Sequence, residues 1–187
     1  MRTISPTKPL GAAVVLLAIS VVTYSQGNIF KKIRYQGGTV ASTVKPDEWN
    51  NTLTVSAEEI SLKFKDGKEQ KIDPKHVTGL SYGQVASRKI KTMIALAVFL
   101  TPLALFGLMH KDRKHFIGIE WQDADGKKGG VLLQAKKDDY RGVLMALRGA
   151  TGAPVTVSAE ERKYVPTGIE TVTTENEKKP EKDKPKP

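Results

Sequence analysis

The chain has 187 residues, a formal net charge of +10, and 39% hydrophobic against 27% charged residues. That length suffices for one domain of ordinary size once non-globular ends are set aside, and the lack of any cysteine excludes disulfide staples, thiolate nucleophiles, zinc–thiolate clusters and lipid-modified cysteines. The positive balance points to anionic partners, of which phosphate-bearing membranes and nucleic acids are the common kinds.

The N-terminus reads as an export signal over residues 1–25. Arg2 and Lys8 form a basic region, residues 10–22 are apolar, and Thr23 and Ser25 place small residues at −3 and −1 for cleavage after Ser25. The apolar run of about 13 residues suits a signal core better than a span, which needs roughly 20. An uncleaved N-terminal anchor stays open beside it, because Lys31, Lys32 and Arg34 match the basic charge in front and leave orientation undecided. Residues 26–35 read as a linker.

Further on the pattern is β. Thr52-Leu53-Thr54-Val55 alternates, Ser56 to Glu59 turns, and Ile60, Leu62 and Phe64 recur on one face of the next strand. Lys65-Asp66-Gly67-Lys68 supplies an Asp-Gly hairpin turn. A strand at Lys71-Ile72-Asp73 follows, then a Pro74 break and a strand from Val77 to Tyr82. After an apolar interruption the same grammar resumes. Ile117, Ile119 and Trp121 share a face, Asp123 to Gly126 turns, and Gly130 to Ala135 is the partner strand. Then the period changes to that of a helix, with Tyr140, Val143, Leu144 and Leu147 at i, i+3, i+4 and i+7, Asp138 or Asp139 as cap, and Gly149 or Gly152 as stop. The end of the chain is rich in Thr, Glu, Lys and Pro, and residues 156–187 read as a disordered tail that cannot bury enough apolar surface to offset chain entropy.

Leu53-x-Val55 leading to Ile60-x-Leu62-x-Phe64, then Ile72-Asp73-x-x-x-Val77-x-x-Leu80-x-Tyr82-Gly83, the Phe116–Trp121 and Val131–Ala135 hairpin, and the helix over 139–148 together resemble a bacterial pleckstrin-homology-like (PH/GRAM-like) domain. The resemblance covers about residues 36–155. It implies a mainly β fold, an antiparallel β-sandwich or partly open barrel capped by one C-terminal α-helix, and a binding role toward lipids, peptides or protein partners with no catalytic apparatus. Two departures stand out: an apolar helical insertion between two strands, and no phosphoinositide-binding basic motif that aligns residue for residue.

That insertion, residues 92–109, carries no charge and must be buried in lipid or protein. A straight helix of it would just cross a thin bilayer. A single crossing would, however, put strands of one sheet on opposite sides of the membrane. A short hairpin bent at Thr101-Pro102 avoids this; a true span between two separate units and a buried soluble helix are the other readings. Arg88, Lys89 and Lys91 before it and Lys111, Arg113 and Lys114 after it are the residues expected to contact lipid headgroups, each contributing about 1 kcal/mol near an anionic surface. The chain is thus expected at a membrane, exported and facing the extracytoplasmic side, or else N-terminally anchored with a cytosolic domain.

Catalytic and metal chemistry leave little trace. His76, His110 and His115 show neither HxxH nor HExxH spacing and read as interfacial polar groups, and no nucleophile elbow or phosphate loop occurs. Gly37-Gly38 and Gly129-Gly130 read as bends or bulges near strand ends. The expectation is therefore no enzyme, no cofactor and no metal. Nucleic-acid binding, suggested by charge with Tyr82, Phe116 and Trp121, is weakened by the acidic residues among the lysines of 63–75 and by the lack of a basic helix. A membrane-attached binding module for lipid headgroups or a protein partner is the leading reading, with a scaffold protein of an envelope complex as the alternative. Leu53, Val55, Ile60, Leu62, Phe64, Ile119, Trp121, Leu133, Val143, Leu144 and Leu147 are the expected core.

Overall fold

The computed structural model describes residues 27–45, 47–84 and 114–174. In chain order these form β1 (Asn28–Gly38), β2 (Asn51–Val55), β3 (Ile60–Lys63), β4 (Glu69–Ile72), β5 (Val77–Gly83), β6 (His115–Gln122), β7 (Lys128–Ala135), α1 (Tyr140–Thr151), β8 (Val155–Ser158) and β9 (Thr171–Thr174). The strands lie in the order β4-β3-β2-β1-β7-β6-β5-β8-β9. The first seven pair antiparallel, whereas β8 runs parallel to β5 and β9 parallel to β8. The expected mainly β fold of short antiparallel strands followed by one α-helix is thus present among the described residues.

Two hairpins rest on the same local chemistry. In each, a glycine N–H closes a turn by donating a hydrogen bond, Gly67 to the Phe64 carbonyl and Gly126 to the Asp123 carbonyl. Gly67 (φ 86°) and Gly126 (φ 78°) then take the left-handed conformation that returns the strand. Residues before these turns keep negative φ, so each is a turn followed by a glycine bulge, not a mirror-image two-residue turn.

β1 belongs to both halves of the molecule. Its first part, Asn28 to Ile33, pairs with β2, and its second part, Arg34 to Gly38, pairs with β7. The register shifts between Lys31 and Ile33, and Lys32 takes φ 61°, the only positive φ of a non-glycine among the described residues. Asn51, fully buried, faces this corner. Its Nδ2 donates to the Ile33 carbonyl at 3.0 Å and its Oδ1 accepts from the Lys65 N–H at 3.2 Å. The side chain therefore satisfies backbone groups that the bulge and the end of β3 leave without ladder partners.

One apolar core joins the halves, and all eleven expected core residues lie in it, each no more than 5% exposed. α1 closes the core by packing against β2, β6 and the 3₁₀ turn at Pro74–His76, with Tyr140, Val143, Leu144 and Leu147 inward as the helical period predicts. Gly152 ends it in the left-handed conformation (φ 69°), while Asp139 occupies the N-cap position without a side-chain capping bond.

Two sequence boundaries and one glycine reading differ. The expected linker 26–35 is mostly β1, whose Ile33 and Tyr35 are core residues. The expected tail beginning at 156 starts inside β8, which buries Val155 and Val157 completely; β9 is mostly threonine and is held by backbone pairing, which needs no apolar side chains. Gly129-Gly130 is not a bulge, since the β6–β7 register runs unbroken through it. Gly129 instead lies under Trp121, where a Cβ would fall 2.2 Å from the ring. Gly37, by contrast, does sit at a register shift. The expected signal or anchor (1–25), the apolar insertion (92–109) and residues 175–187 lie outside the described residues, and among the described residues no helix is long and apolar enough to cross a membrane.

Replacing Asn51 by Ala should destabilise the fold by about 2 kcal/mol or more, because a buried carbonyl and a nearby N–H lose their partner. Urea unfolding should show a lowered midpoint with an unchanged slope.

Candidate functional site

A cavity of about 730 Å³ opens where the end of β5, the start of β6 and the N-terminal turn of α1 meet, lined by Gln84, His115, Lys137, Asp138, Tyr140, Arg141 and Tyr164. Its volume lies in the range of small-molecule sites. One wall is a stack of rings. The His115 imidazole lies 3.8 Å from the Tyr140 ring at an interplanar angle of 8°, and Tyr82 stacks on Tyr140 at 5.5 Å. The Tyr82 hydroxyl and His115 Nδ1 share a 2.9 Å hydrogen bond. Tyr140 is fixed at its other end, donating to the Tyr164 carbonyl at 3.0 Å and accepting from Arg141 Nε at 3.0 Å.

Burial, and then the positive charges of Lys137 and Arg141, hold the His115 imidazole below its ordinary value of 6.5. Burial likewise drives the Tyr82 phenol well above its ordinary range. The His115 and Tyr82 rings are thus neutral at neutral pH. Charge at the site comes from Lys137 and Arg141, offset by Asp138 in the lining and by Glu161 behind Gln84, so the cavity offers a flat aromatic wall beside two cationic donors. Such a set can hold an anionic group next to an apolar or planar one.

The two chain ends that flank residues 85–113 meet at this cavity. Gly83 of β5 lies opposite Phe116 of β6, and the Lys114 N–H donates to the Gln84 carbonyl at 3.1 Å. The Gln84 N–H in turn donates to Glu161 Oε1 at 2.7 Å, so the turn after β8 fastens the same stem.

Of the residues expected at lipid headgroups, Lys114 is placed here, half-buried beside His115; Arg88, Lys89, Lys91, Lys111 and Arg113 lie outside the described residues. His115 corrects its expected role, because it is a buried member of the ring stack and not an interfacial polar group. His110 lies outside the described residues, and no group of three or more His, Asp or Glu among them is arranged to hold a metal. Tyr82, Phe116 and Trp121 are each no more than 5% exposed, so these rings are not free to stack on bases.

Sequence reasoning missed Lys137, Arg141 and Tyr164. The spacing of Lys137 and Arg141, four apart at the start of a helix, was the available signal; Tyr164 left none. A second cationic cluster was also missed: the Arg34 guanidinium lies 4.1 Å from the Trp49 ring centroid, with Lys136 at 5.8 Å.

No family model matches the chain, and no curated protein matches it. Among solved structures it is similar to a chain in the structure of the Spt16D Pob3N heterodimer, at 10% identity and a TM-score of 0.41. That likeness covers 71% of this chain and 56% of the other, so the chain spans little more than half of that neighbour's length.

The neutral His115 ring gives a pH test. Because its folded value is depressed, the unfolded chain takes up the proton first on acidification, so the stability it contributes is full above 6.5 and is lost as pH falls through the folded value. Urea midpoints should drop between about pH 7 and about pH 5, and His115→Gln should flatten that drop. Equal slopes in the two proteins would assign the acid sensitivity to other groups.

Proposed function

We propose that the chain is a non-enzymatic binding module of pleckstrin-homology-like architecture, attached to a membrane surface through the segment between β5 and β6, with the His115–Tyr140 cavity as its ligand site. The observation that carries this reading is the pairing of the two stems, Gly83 opposite Phe116 and the Lys114 N–H on the Gln84 carbonyl. A chain that leaves and returns within one hydrogen bond cannot cross a bilayer once between those points without breaking the ladder. Attachment from one side fits the stems, the charge-free stretch 92–109 and the basic residues Arg88, Lys89, Lys91, Lys111, Arg113 and Lys114 around it. The pleckstrin-homology-like assignment draws support from the seven-strand antiparallel order followed by the capping helix.

Gln84 belongs both to the stem and to the cavity, so the cavity opens where the chain would meet headgroups. Lys137 and Arg141 then favour an anionic, phosphate-bearing headgroup as ligand. A scaffold role in an envelope complex is the second reading, favoured by β9, a strand at the sheet edge with Val172 49% exposed, since such an edge can accept a strand from another chain.

The chain has no native cysteine, so single cysteines can be placed without background. Lys63→Cys and Asp125→Cys, both exposed, should react with an impermeant maleimide from the same face of sealed vesicles, and that face distinguishes an exported domain from a cytosolic one. Labelling from opposite faces would reject one-sided attachment. Flotation with anionic vesicles should weaken by about fivefold for each of the six basic residues replaced by Gln, with no change in thermal midpoint; glycerol phosphate should shift the NMR signals of the His115 ring, and the Lys137→Gln, Arg141→Gln pair should abolish that shift.

A further inference from the structure

Arg34 is a partly desolvated cation. Ile33 and Tyr35 on either side of it enter the core, so its side chain leaves β1 on the other face, where it is half-buried. Burial holds the guanidinium below its ordinary basicity, and the charge of Asp47 offsets this only in part. Its Nε is buried without a hydrogen-bond partner, and the side chain forms no ion pair among the described residues. The Trp49 ring lies 4.1 Å from the guanidinium carbon, and Lys136 Nζ approaches the same ring at 5.8 Å. The neighbours of Trp49 fix its place: Glu48 accepts from Asn50 Nδ2 at 3.0 Å and pairs with Lys65 at 3.3 Å, and Asn51 is bonded into the β1 corner. Two positive charges thus share one ring. An anion bound between them would relieve their repulsion and replace the hydration that Arg34 has lost.

We infer that Arg34 and Lys136, on the platform of Trp49, form a binding site for a phosphate group, separate from the His115–Tyr140 cavity. The charges select this class of ligand. The carboxylate of Asp47 already acts on Arg34 and leaves it uncompensated, so a second single-charged carboxylate is a poor match. A phosphate ester brings up to about two negative charges and three acceptor oxygens, enough for both cations, and a guanidinium fork suits it. Register places the site in the fold. Arg34 lies opposite Gln134, Gln134 opposite Phe116, and Phe116 opposite Gly83. Arg34 is therefore three strand spacings, roughly 14 Å, from the stem at Gly83, in the same cross-strand row. Lys137, the residue after Lys136, lines the cavity, so consecutive lysines serve the two sites. The phosphate of a lipid headgroup and that of a soluble ester share the required chemistry, and the inference does not depend on membrane attachment.

The test reads Trp49 emission in the full chain, as the difference from Trp49→Phe; Trp121 is buried and common to both. Every sample also carries Lys137→Gln and Arg141→Gln, which remove the positive charges of the cavity. Glycerol phosphate should change the Trp49 emission saturably, and acetate should bind about tenfold or more weakly. Arg34→Gln should weaken the glycerol phosphate response about tenfold. Lys136→Gln should weaken it about threefold, and Asp47→Asn, by removing the competing carboxylate, should strengthen it about threefold. Neither of those two side chains is in the core, so they decide the matter if Arg34→Gln does not fold. Vesicles containing phosphatidylglycerol identify the source: a response with the same order of variants assigns a lipid headgroup, and a response to glycerol phosphate alone assigns a soluble phosphate ester. No saturable change with either probe, an equal affinity for acetate, or affinities unmoved by both Lys136→Gln and Asp47→Asn would overturn the inference.

Discussion

The corner in β1 is the constraint on which the rest of the molecule depends. A strand that pairs with β2 over its first half and β7 over its second must change direction between them, and the change is made by a one-residue bulge with Lys32 in the left-handed region. Such a conformation costs of order 1 kcal/mol or more and persists only where surrounding contacts determine it. Asn51 supplies them, by accepting and donating across the corner from a fully buried position. Through that bend, the parts of the sheet on either side of β1 come to share a single core, and α1 packs against both β2 and β6.

The functional features collect where β5 and β6 leave the sheet, at the end of the core covered by the first turn of α1. Glu161 and the Gln84–Lys114 bond fix the two stems, and the rings of Tyr82, Tyr140 and His115 fill the space behind them. Burial keeps the Tyr82 and His115 rings neutral, so they form a low-polarity wall beside the charges of Lys137, Arg141 and Asp138. The ion pairs of Lys71 with Glu59 and of Arg148 with Glu170 lie away from it, each with an exposed partner, and are screened by solvent.

Much of the fold was legible in the sequence wherever burial writes a period. Alternation at Leu53 to Val55 and Ile60 to Phe64, the helical spacing from Tyr140 to Leu147, and the two glycine turns are local rules, set by side-chain direction along one element. The period is silent where a strand is buried on both sides. Phe116 and Leu132 are buried although they lie on the face of β6 and β7 away from Ile117 and Leu133, and a two-residue period reports one face only. β8 and β9 were missed for the opposite reason: each has four residues, and β9 is held by its backbone alone.

The sequence by itself determined the strands, the helix, the turns and most of the core, because these follow from how each residue type partitions between water and an apolar face over a few neighbours. It also marked 92–109 as a stretch that needs cover. Only the tertiary structure decided that His115 stacks on Tyr140 from another element, that Arg34 meets Trp49, that Lys137 and Arg141 face Gln84, and that both stems of the apolar segment leave from one point. Those are pairings between residues far apart in the chain, and no local period encodes them; they are fixed by strand order and by the corner in β1.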